Sequence, residues 1–249
     1  MDVVFLGTNG WYDTDTGNTI CTLIATPEAV VVLDAGYGLA KLDRFLESGD
    51  ARPVFLFLSH FHLDHIAGLH TLTKFSLSGG LTLCCPEGGR SVLQTFINAP
   101  FTVALEGLPY PANVRELPEE AASLPFPVEA LPLLHSGLTL GYRLQIGAKV
   151  IAYCPDTGYC ENAVTLALGA DLLITECAYK EGQSSESWPH LNPETAGRIA
   201  REAGALRLAL THFDARIYRS LPEREEAQTA ARKEFPAAFA AFDDMILEC

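Results

Sequence analysis

The stretch LFLSHFHLDHIAGLH, residues 56–70, decides how this chain is read. It places His60, His62, Asp64 and His65 within six positions, directly after the apolar run Val54-Phe55-Leu56-Phe57-Leu58, in a chain with only seven histidines. A short, fully apolar run is the pattern of a strand buried on both faces. Residues two apart in extended chain point the same way, so His60 and His62 can address one ion together. Asp64 and His65 follow as the chain turns into a helix-like segment, HIAGLHTLTKF, and can face a second ion. Imidazole nitrogen and carboxylate oxygen suit Zn²⁺ and related divalent ions. A lone histidine is more often a core or surface residue than a ligand. Four such side chains at this spacing read as a metal-binding motif.

Working outward, DVVFLG, TICTLIAT and AVVVLDAG read as strands. LAKLDRFLES has helical spacing, with Leu39, Leu42, Phe45 and Leu46 on one face. Beyond the motif, GLTLCCP reads as a strand and GGRSVLQTFINA as a helix. Residues 107–132 are rich in proline and read as connections with one or two short strands, not as a domain linker. VEALPLLH, LTLGYRLQIG and AKVIAYCPD then read as strands, with Gly147-Ala148 able to turn a hairpin. CENAVTLALG is a helix and ADLLITECA a strand. NPETAGRIAREAG carries helix signals at both ends: Asn192 as cap, Pro193 in the first turn, Gly204 at the end. LRLALTHF is the next strand, PEREEAQTAARKEF a charged surface helix, and DDMILEC closes a sheet edge. Strand after strand leads to a metal-type residue: His60, His135, Asp156, His212. Binding groups gathered at strand ends from distant parts of a chain point to one cleft in an α/β domain, here spanning residues 1–249.

Composition narrows the classes. Hydrophobic residues make up 48% of 249, enough for a sizeable core. The start, MDVVFLGTNG, lacks the basic and long apolar regions of a secretory signal, and no apolar run approaches the roughly 18 residues of a membrane span. A soluble, cytoplasmic protein without a membrane partner is expected. The formal net charge of −14, from 31 acidic against 17 basic residues, argues against extended nucleic acid as a partner. Seven cysteines without metal-finger spacing read as reduced core residues.

With these residues in view, the chain resembles a known family. HFHLDH is similar to the His-x-His-x-Asp-His signature of the metallo-β-lactamase superfamily. The resemblance implies an αββα sandwich with a one- or two-metal site between its sheets. It implies that His60, His62 and His135 bind one metal and Asp64, His65 and His212 the other, with Asp156 of CPDTG bridging them. Taken alone, His135 and His212 would default to structural histidines; their place at strand ends and the match in order promote them. Within the superfamily, FLGTNGWYDTDTGNTICTLI, LLHSGLTLGYRL, ITECAY, HLNPETAGRIA and LTHFDAR resemble the ribonuclease Z branch, which also holds smaller phosphodiesterases. That likeness implies that His190, partnered by Glu176, protonates a leaving oxygen, and that Asp64 also holds or deprotonates the attacking water. Their plain alternatives are a helix-flanking surface histidine and a structural carboxylate in a turn. Arg216 is a candidate phosphate clamp, or an ordinary surface arginine. Two divalent ions are implied, Zn²⁺ first, with Mn²⁺ or iron also compatible. Homodimers are common in the branch.

The chain also departs from ribonuclease Z. Only 20 residues separate His135 from Asp156, room for a hairpin but not for a tRNA-gripping arm. DAGYGLAKL stands where the family has Gly-Thr-Gln, and Asp214 stands where a serine is common. The expectation is therefore a dinuclear phosphodiesterase acting on a small phosphodiester through a metal-bridging hydroxide. The alternatives are tRNA 3′-end processing, or a lactonase, thioesterase or β-lactamase on the same site. A non-catalytic metal-binding or redox protein ranks last: the redox branch replaces a first-motif histidine by a carboxylate and adds a flavin domain, and no glycine-rich nucleotide loop is present. His70 reads as structural or solvated, and Trp11, Tyr12 and Trp188 as pocket lining or ordinary loop packing.

Overall fold

Strands alternate in which layer they feed, and that alternation builds the fold. In the strands Asp2–Gly7, Val30–Leu33 and Val54–Phe57, residues Val4, Leu6, Val30, Val32, Val54 and Leu56 join one apolar cluster. Their neighbours Val3, Phe5, Val31, Leu33, Phe55 and Phe57 join another. Successive side chains of a strand point to opposite faces, so apolar residues at every position mean a sheet covered on both sides. The computed structural model describes residues 1–47 and 49–249.

Two sheets result. A seven-stranded sheet runs in the order Met245–Glu248, Asp2–Gly7, Cys21–Ala25, Val30–Leu33, Val54–Phe57, Leu81–Pro86, Ala112–Leu117. A six-stranded sheet runs Ala238–Ala240, Leu208–Thr211, Leu172–Glu176, Lys149–Cys154, Leu140–Ile146, Val128–Pro132. Their facing sides share one core, in which Phe57, Leu33 and Phe5 meet Tyr142, Tyr153 and Ile174. The outer face of the first sheet is covered by Tyr37–Phe45, Ala67–Lys74 and the α-helix Gly89–Phe96. The second is covered by the α-helices Glu161–Ala167, Pro193–Ala203 and Leu221–Glu234. This is the expected αββα sandwich. No helix among the described residues is long and apolar enough to cross a membrane.

Most expected elements form, with instructive differences. Tyr37–Phe45 and Ala67–Lys74 are 3₁₀ helices, not α-helices; the end of the expected helix, Ser48, lies outside the described residues. Their buried side chains, Leu39 and Leu42 in one, Leu69 and Leu72 in the other, stand three apart. That spacing satisfies three residues per turn as well as 3.6 over so short a span. A methyl on Gly68 would overlap the Gly36 carbonyl, so the second of these helices sits hard against the loop after Val30–Leu33. The capping of Pro193–Ala203 follows the signals: Asn192 Oδ1 accepts the Thr195 N–H at 2.9 Å, and Gly204 takes a left-handed φ of 63°. The Gly147-Ala148 turn joins two adjacent antiparallel strands and leaves no room for an arm.

In the six-stranded sheet, Val128–Pro132, Lys149–Cys154, Leu172–Glu176 and Leu208–Thr211 all run in one direction. Their carboxyl ends therefore lie along one edge, where ligands of α/β sheets bind.

Candidate metal centre

At that edge the two sheets deliver their polar residues to one place. His60 lies three residues past Val54–Phe57, and His62 caps the short α-helix Leu63–Ile66 in an extended conformation (φ −63°, ψ 146°). The helix then turns Asp64 and His65 toward the same point. From the second sheet come His135, Asp156 and His212, each just past a strand. The donors form two groups, each with its ligand atoms within 4.8 Å of one another: His60, His62, His135 and Asp156, then Asp64, His65 and His212. Asp156 touches both. Its Oδ2 lies 3.9 Å from His60 Nε2 and 3.7 Å from His135 Nε2, while Oδ1 lies 3.1 Å from His65 Nε2 and 3.2 Å from His212 Nε2. Every ligand expected from sequence is brought together.

The geometry fits divalent ions. His65 Nε2 and His212 Nε2 are 3.1 Å apart, His212 Nε2 and Asp64 Oδ2 3.3 Å, and His135 Nε2 and His62 Nδ1 3.4 Å. A tetrahedral zinc with bonds of 2.0–2.1 Å holds its ligand atoms about 3.4 Å apart. Buried His60 Nε2 and Asp156 Oδ1 have no hydrogen-bond partner among the described residues, a costly arrangement for a polar atom that has no ligand.

The electrostatics divide the histidines. Burial, then the neighbouring His65, pushes His60 well below the usual imidazole range; burial also lowers His62, and His135 to about 4. Those rings stay neutral and offer a lone pair directly, whereas His65 and His212 would release a proton on taking up an ion. His65 and His212 are pushed up: burial is the largest single influence and opposes, but the carboxylates together outweigh it, Asp156 with Asp34 and Asp64 at His65 and Asp156 with Asp64 at His212. In return, despite burial, the charges of His65 and His212 hold Asp64 and Asp156 far below the usual carboxylate range.

His190 and Glu176 sit beside these donors. The His190 side chain is 5% exposed and Glu176 is fully buried, which removes the surface-histidine alternative. Glu176 Oε1 accepts from His190 Nδ1 at 2.7 Å and from the Thr157 N–H at 2.5 Å, and Oε2 accepts from the Ala178 N–H at 3.2 Å. Burial opposes, but Glu176, with Asp156 and Asp214, raises His190 to about 9, so its ring is charged at neutral pH. The ring lies 5.2 Å from that of His135 and 6.2 Å from that of His212. A cleft of about 280 Å³ is lined by Asp64, Asp156, His190 and His212 beside Trp11 and Trp188.

Arg216 is placed differently. It forks onto buried Asp214 (2.8 and 3.2 Å) and lies 4.8 Å over the Trp11 ring, outside the lining of this cleft. Asp214 is thereby paired with a cation, 2.8 Å from Arg216 Nη2. His70 is exposed, bonded to the Ala67 carbonyl at 2.6 Å, and belongs to no donor group. Trp11 and Trp188 stack (5.9 Å, 16°), and Trp188 also stacks on His62 (6.1 Å, 14°). They form a wall of the cleft.

Two supporting residues, Asp34 and Gly10, escaped the sequence reading, as did the bond from the Trp11 backbone to Asp64. Asp34 is fully buried and accepts from the Ser59 N–H (2.7 Å), Ser59 Oγ (2.8 Å), Tyr153 Oη (2.6 Å) and His65 Nδ1 (2.8 Å). The last bond keeps a proton on Nδ1, so Nε2 is the atom His65 turns toward the donor cluster and would offer to an ion. The signal was present, a carboxylate at the end of AVVVLDAG, the strand-end pattern used for the ligands themselves. The Trp11 N–H donates to Asp64 Oδ2 at 2.7 Å and aims that carboxylate. Gly10 lies so close to His212 that a Cβ would meet its ring at 2.5 to 2.9 Å. Trp11, Asp34 and His212 all hold positive φ (73°, 56° and 49°), backbone strain of the kind that gathers at functional sites.

A sandwich with such a donor cluster at its strand ends defines a metallo-hydrolase of the metallo-β-lactamase fold. A family profile described as "Beta-lactamase superfamily domain" matches residues 30–213, and the chain belongs to that superfamily. It is 28% identical over 220 residues to the probable metallo-hydrolase YhfI of Bacillus subtilis, covering 86% of this chain and 87% of that one. It is 27% identical over 303 aligned positions to ribonuclease Z of Acaryochloris marina, covering 98% and 96%. Solved structures agree on the fold. The YhfI crystal structure superposes with a TM-score of 0.82 at 24% identity, covering 100% of this chain and 98% of that one. A diphosphatase of the PhnP family superposes at 0.74 with 17% identity, covering 100% and 97%.

Proposed function

We propose that the protein is a phosphodiesterase that hydrolyses a small phosphodiester with two divalent ions, Zn²⁺ being the first choice for its His/Asp donors. One ion would be held by His60, His62 and His135, the other by Asp64, His65 and His212, with Asp156 between them. The observation that carries the reading is His190, a buried imidazole bonded through Nδ1 to buried Glu176 and set beside both donor groups. Bound there, the ions supply Lewis acidity, which makes water a nucleophile at neutral pH and offsets phosphate charge.

The chain's own residues do the rest. Asp64 and Asp156 remain ionised across the working range, and Asp64 can hold the attacking water by accepting its hydrogen bond or take its proton. As the bond from phosphorus to the leaving oxygen breaks, His190 Nε2 gives that oxygen its proton and is recharged from solvent. Glu176 fixes the tautomer through Nδ1 and stabilises the charged ring. Trp11 and Trp188 keep bulk water from one side. The small cleft, the short hairpin at Gly147-Ala148 and the acidic charge balance favour a small substrate over tRNA. Named relatives that are ribonucleases and a diphosphatase neighbour are consistent with phosphate-ester chemistry.

The test varies the leaving group. Metal-loaded protein is assayed on bis(p-nitrophenyl) phosphate, whose phenolate leaves without help, and on a cyclic nucleoside phosphodiester, whose sugar alkoxide needs a proton. His190→Ala should cost about 10²- to 10⁴-fold on the second and far less on the first, while metal content stays unchanged. A lactone and a thioester run alongside. Turnover of only these acyl substrates, indifferent to His190, would overturn the phosphodiesterase reading.

A further inference from the structure

Beside the metal cleft lies a second cavity of about 430 Å³. It shares Trp11, Leu63 and Asp64 with the cleft, so the two adjoin across these side chains. Its walls are mainly Trp11, Tyr12, Tyr37, Leu63, Phe96 and Phe101. Five of these are among the large apolar side chains the molecule leaves exposed: Trp11 45%, Tyr12 48%, Tyr37 45%, Leu63 66%, Phe101 67%. Single exposed apolar residues are ordinary, but their convergence on one concavity marks a binding surface. Among the described residues, no lysine or arginine lines it, and its one carboxylate is Asp64. A ribose-phosphate chain or a second phosphate would find no cation there. His70 donates through Nδ1 to the Ala67 carbonyl, which holds its ring at the wall.

We propose that this cavity is the subsite for a flat, uncharged aromatic substituent of the diester, the group on phosphorus that is not expelled in the reaction. The proposal rests on the phosphodiesterase reading and deepens it: the substrate is an aryl- or heteroaryl-bearing diester. Asp64 ties the two halves of the site together, because the carboxylate at the donor cluster is also the floor shared with the aromatic cavity. A phosphorus atom beside the donors thus has one substituent directed at His190 and another able to reach the aromatic walls. The pocket's apolar faces reward a ring, which buries its area at little conformational cost.

The experiment compares two diesters with the same leaving group and chromophore: bis(p-nitrophenyl) phosphate and p-nitrophenyl methyl phosphate. The wild-type protein should favour the first by about tenfold or more in KM, the worth of one stacked ring. Phe101→Ala and Tyr37→Ala should remove most of that preference while leaving kcat on the methyl ester within about twofold. Neither residue touches the donor cluster. A second readout does not depend on turnover. The chain's two tryptophans, Trp11 and Trp188, both stand at the cleft. Diphenyl phosphate should therefore shift tryptophan fluorescence saturably, and dimethyl phosphate should not.

An unchanged preference in both variants overturns the subsite. So does a change in sedimentation of the variants without a change in preference, which would assign the surface to a second copy of the chain. Failure of the underlying reading looks different: neither diester turns over, while a lactone or thioester does.

Discussion

Replacing Asp34 by asparagine tests how far the ligands depend on their support. The carboxylate is fully buried and accepts four hydrogen bonds, from the Ser59 N–H, Ser59 Oγ, Tyr153 Oη and His65 Nδ1. An amide keeps one oxygen and turns an NH₂ toward donors. The Ser59 and Tyr153 hydroxyls can rotate and accept instead. His65 can accept only by moving its proton to Nε2, the atom 3.1 Å from His212 Nε2 and from Asp156 Oδ1. A protonated Nε2 cannot ligate an ion. Losing such a supporting bond typically costs about 10- to 100-fold in metal affinity, or roughly 1.4–2.7 kcal/mol. The loss should fall on the ion held by Asp64, His65 and His212. Competition against a chromophoric chelator, with metal counted per chain, measures it. Asp34→Ala should do more, because the Ser59 N–H then loses its partner in a buried site; each unpaired buried group costs about 1–3 kcal/mol, read from denaturant unfolding of the metal-free protein. If Asp34→Asn holds both ions within twofold of wild-type affinity, the tautomer argument is wrong.

Gly10→Ala should push the His212 ring aside, at about 1–3 kcal/mol of strain, and lower the metal content of that group; full occupancy would show that the ring can move freely. Glu176→Gln should lower turnover on the alkoxide diester with less effect on metal content, since Glu176 bonds His190 and the Thr157 and Ala178 N–H groups but no ligand side chain; equal losses on aryl and alkyl diesters would contradict a role through His190. Stripping metal with a chelator should lower the thermal midpoint. Re-addition at 100 times Kd should restore about 2.7 kcal/mol, and a midpoint indifferent to metal would speak against the centre. Arg216→Ala should change tryptophan emission, because the guanidinium lies over Trp11, yet leave KM for a diester within about threefold. A tenfold rise in KM would return Arg216 to the role of phosphate clamp.

The chain's own pattern carried the sandwich and the ligands unusually far. The run VFLFL announced a strand covered on both faces, and the packing of Phe55 and Phe57 against one layer and Val54 and Leu56 against the other is its direct consequence. His60, His62, Asp64 and His65 were legible because local spacing alone places them together. His135, Asp156 and His212 were legible because each closes an apolar strand. Pro193–Ala203 announced itself by its caps.

Other features depend on contacts that no local pattern encodes. FPAAFAA is poor strand material, yet Ala238–Ala240 forms a strand because Leu208–Thr211 offers it a parallel edge. Tyr37–Phe45 winds as 3₁₀ where periodicity could not separate the two helix types. Asp34 becomes a support for His65 only when the two segments meet, 31 residues apart in sequence. The same holds for Arg216, whose guanidinium the fold commits to Asp214, and for the aromatic cavity assembled from residues 11 to 102. Periodicity and ligand spacing are local, so the sequence by itself carried most of the strands, the layers and the His60–His65 motif, and the resemblance in order added His135, Asp156 and His212 as candidate ligands. Hydrogen-bond partners, the wall of Trp11 and Trp188, and the second cavity are long-range, because they arise only when distant segments share a volume, and the tertiary structure decided them.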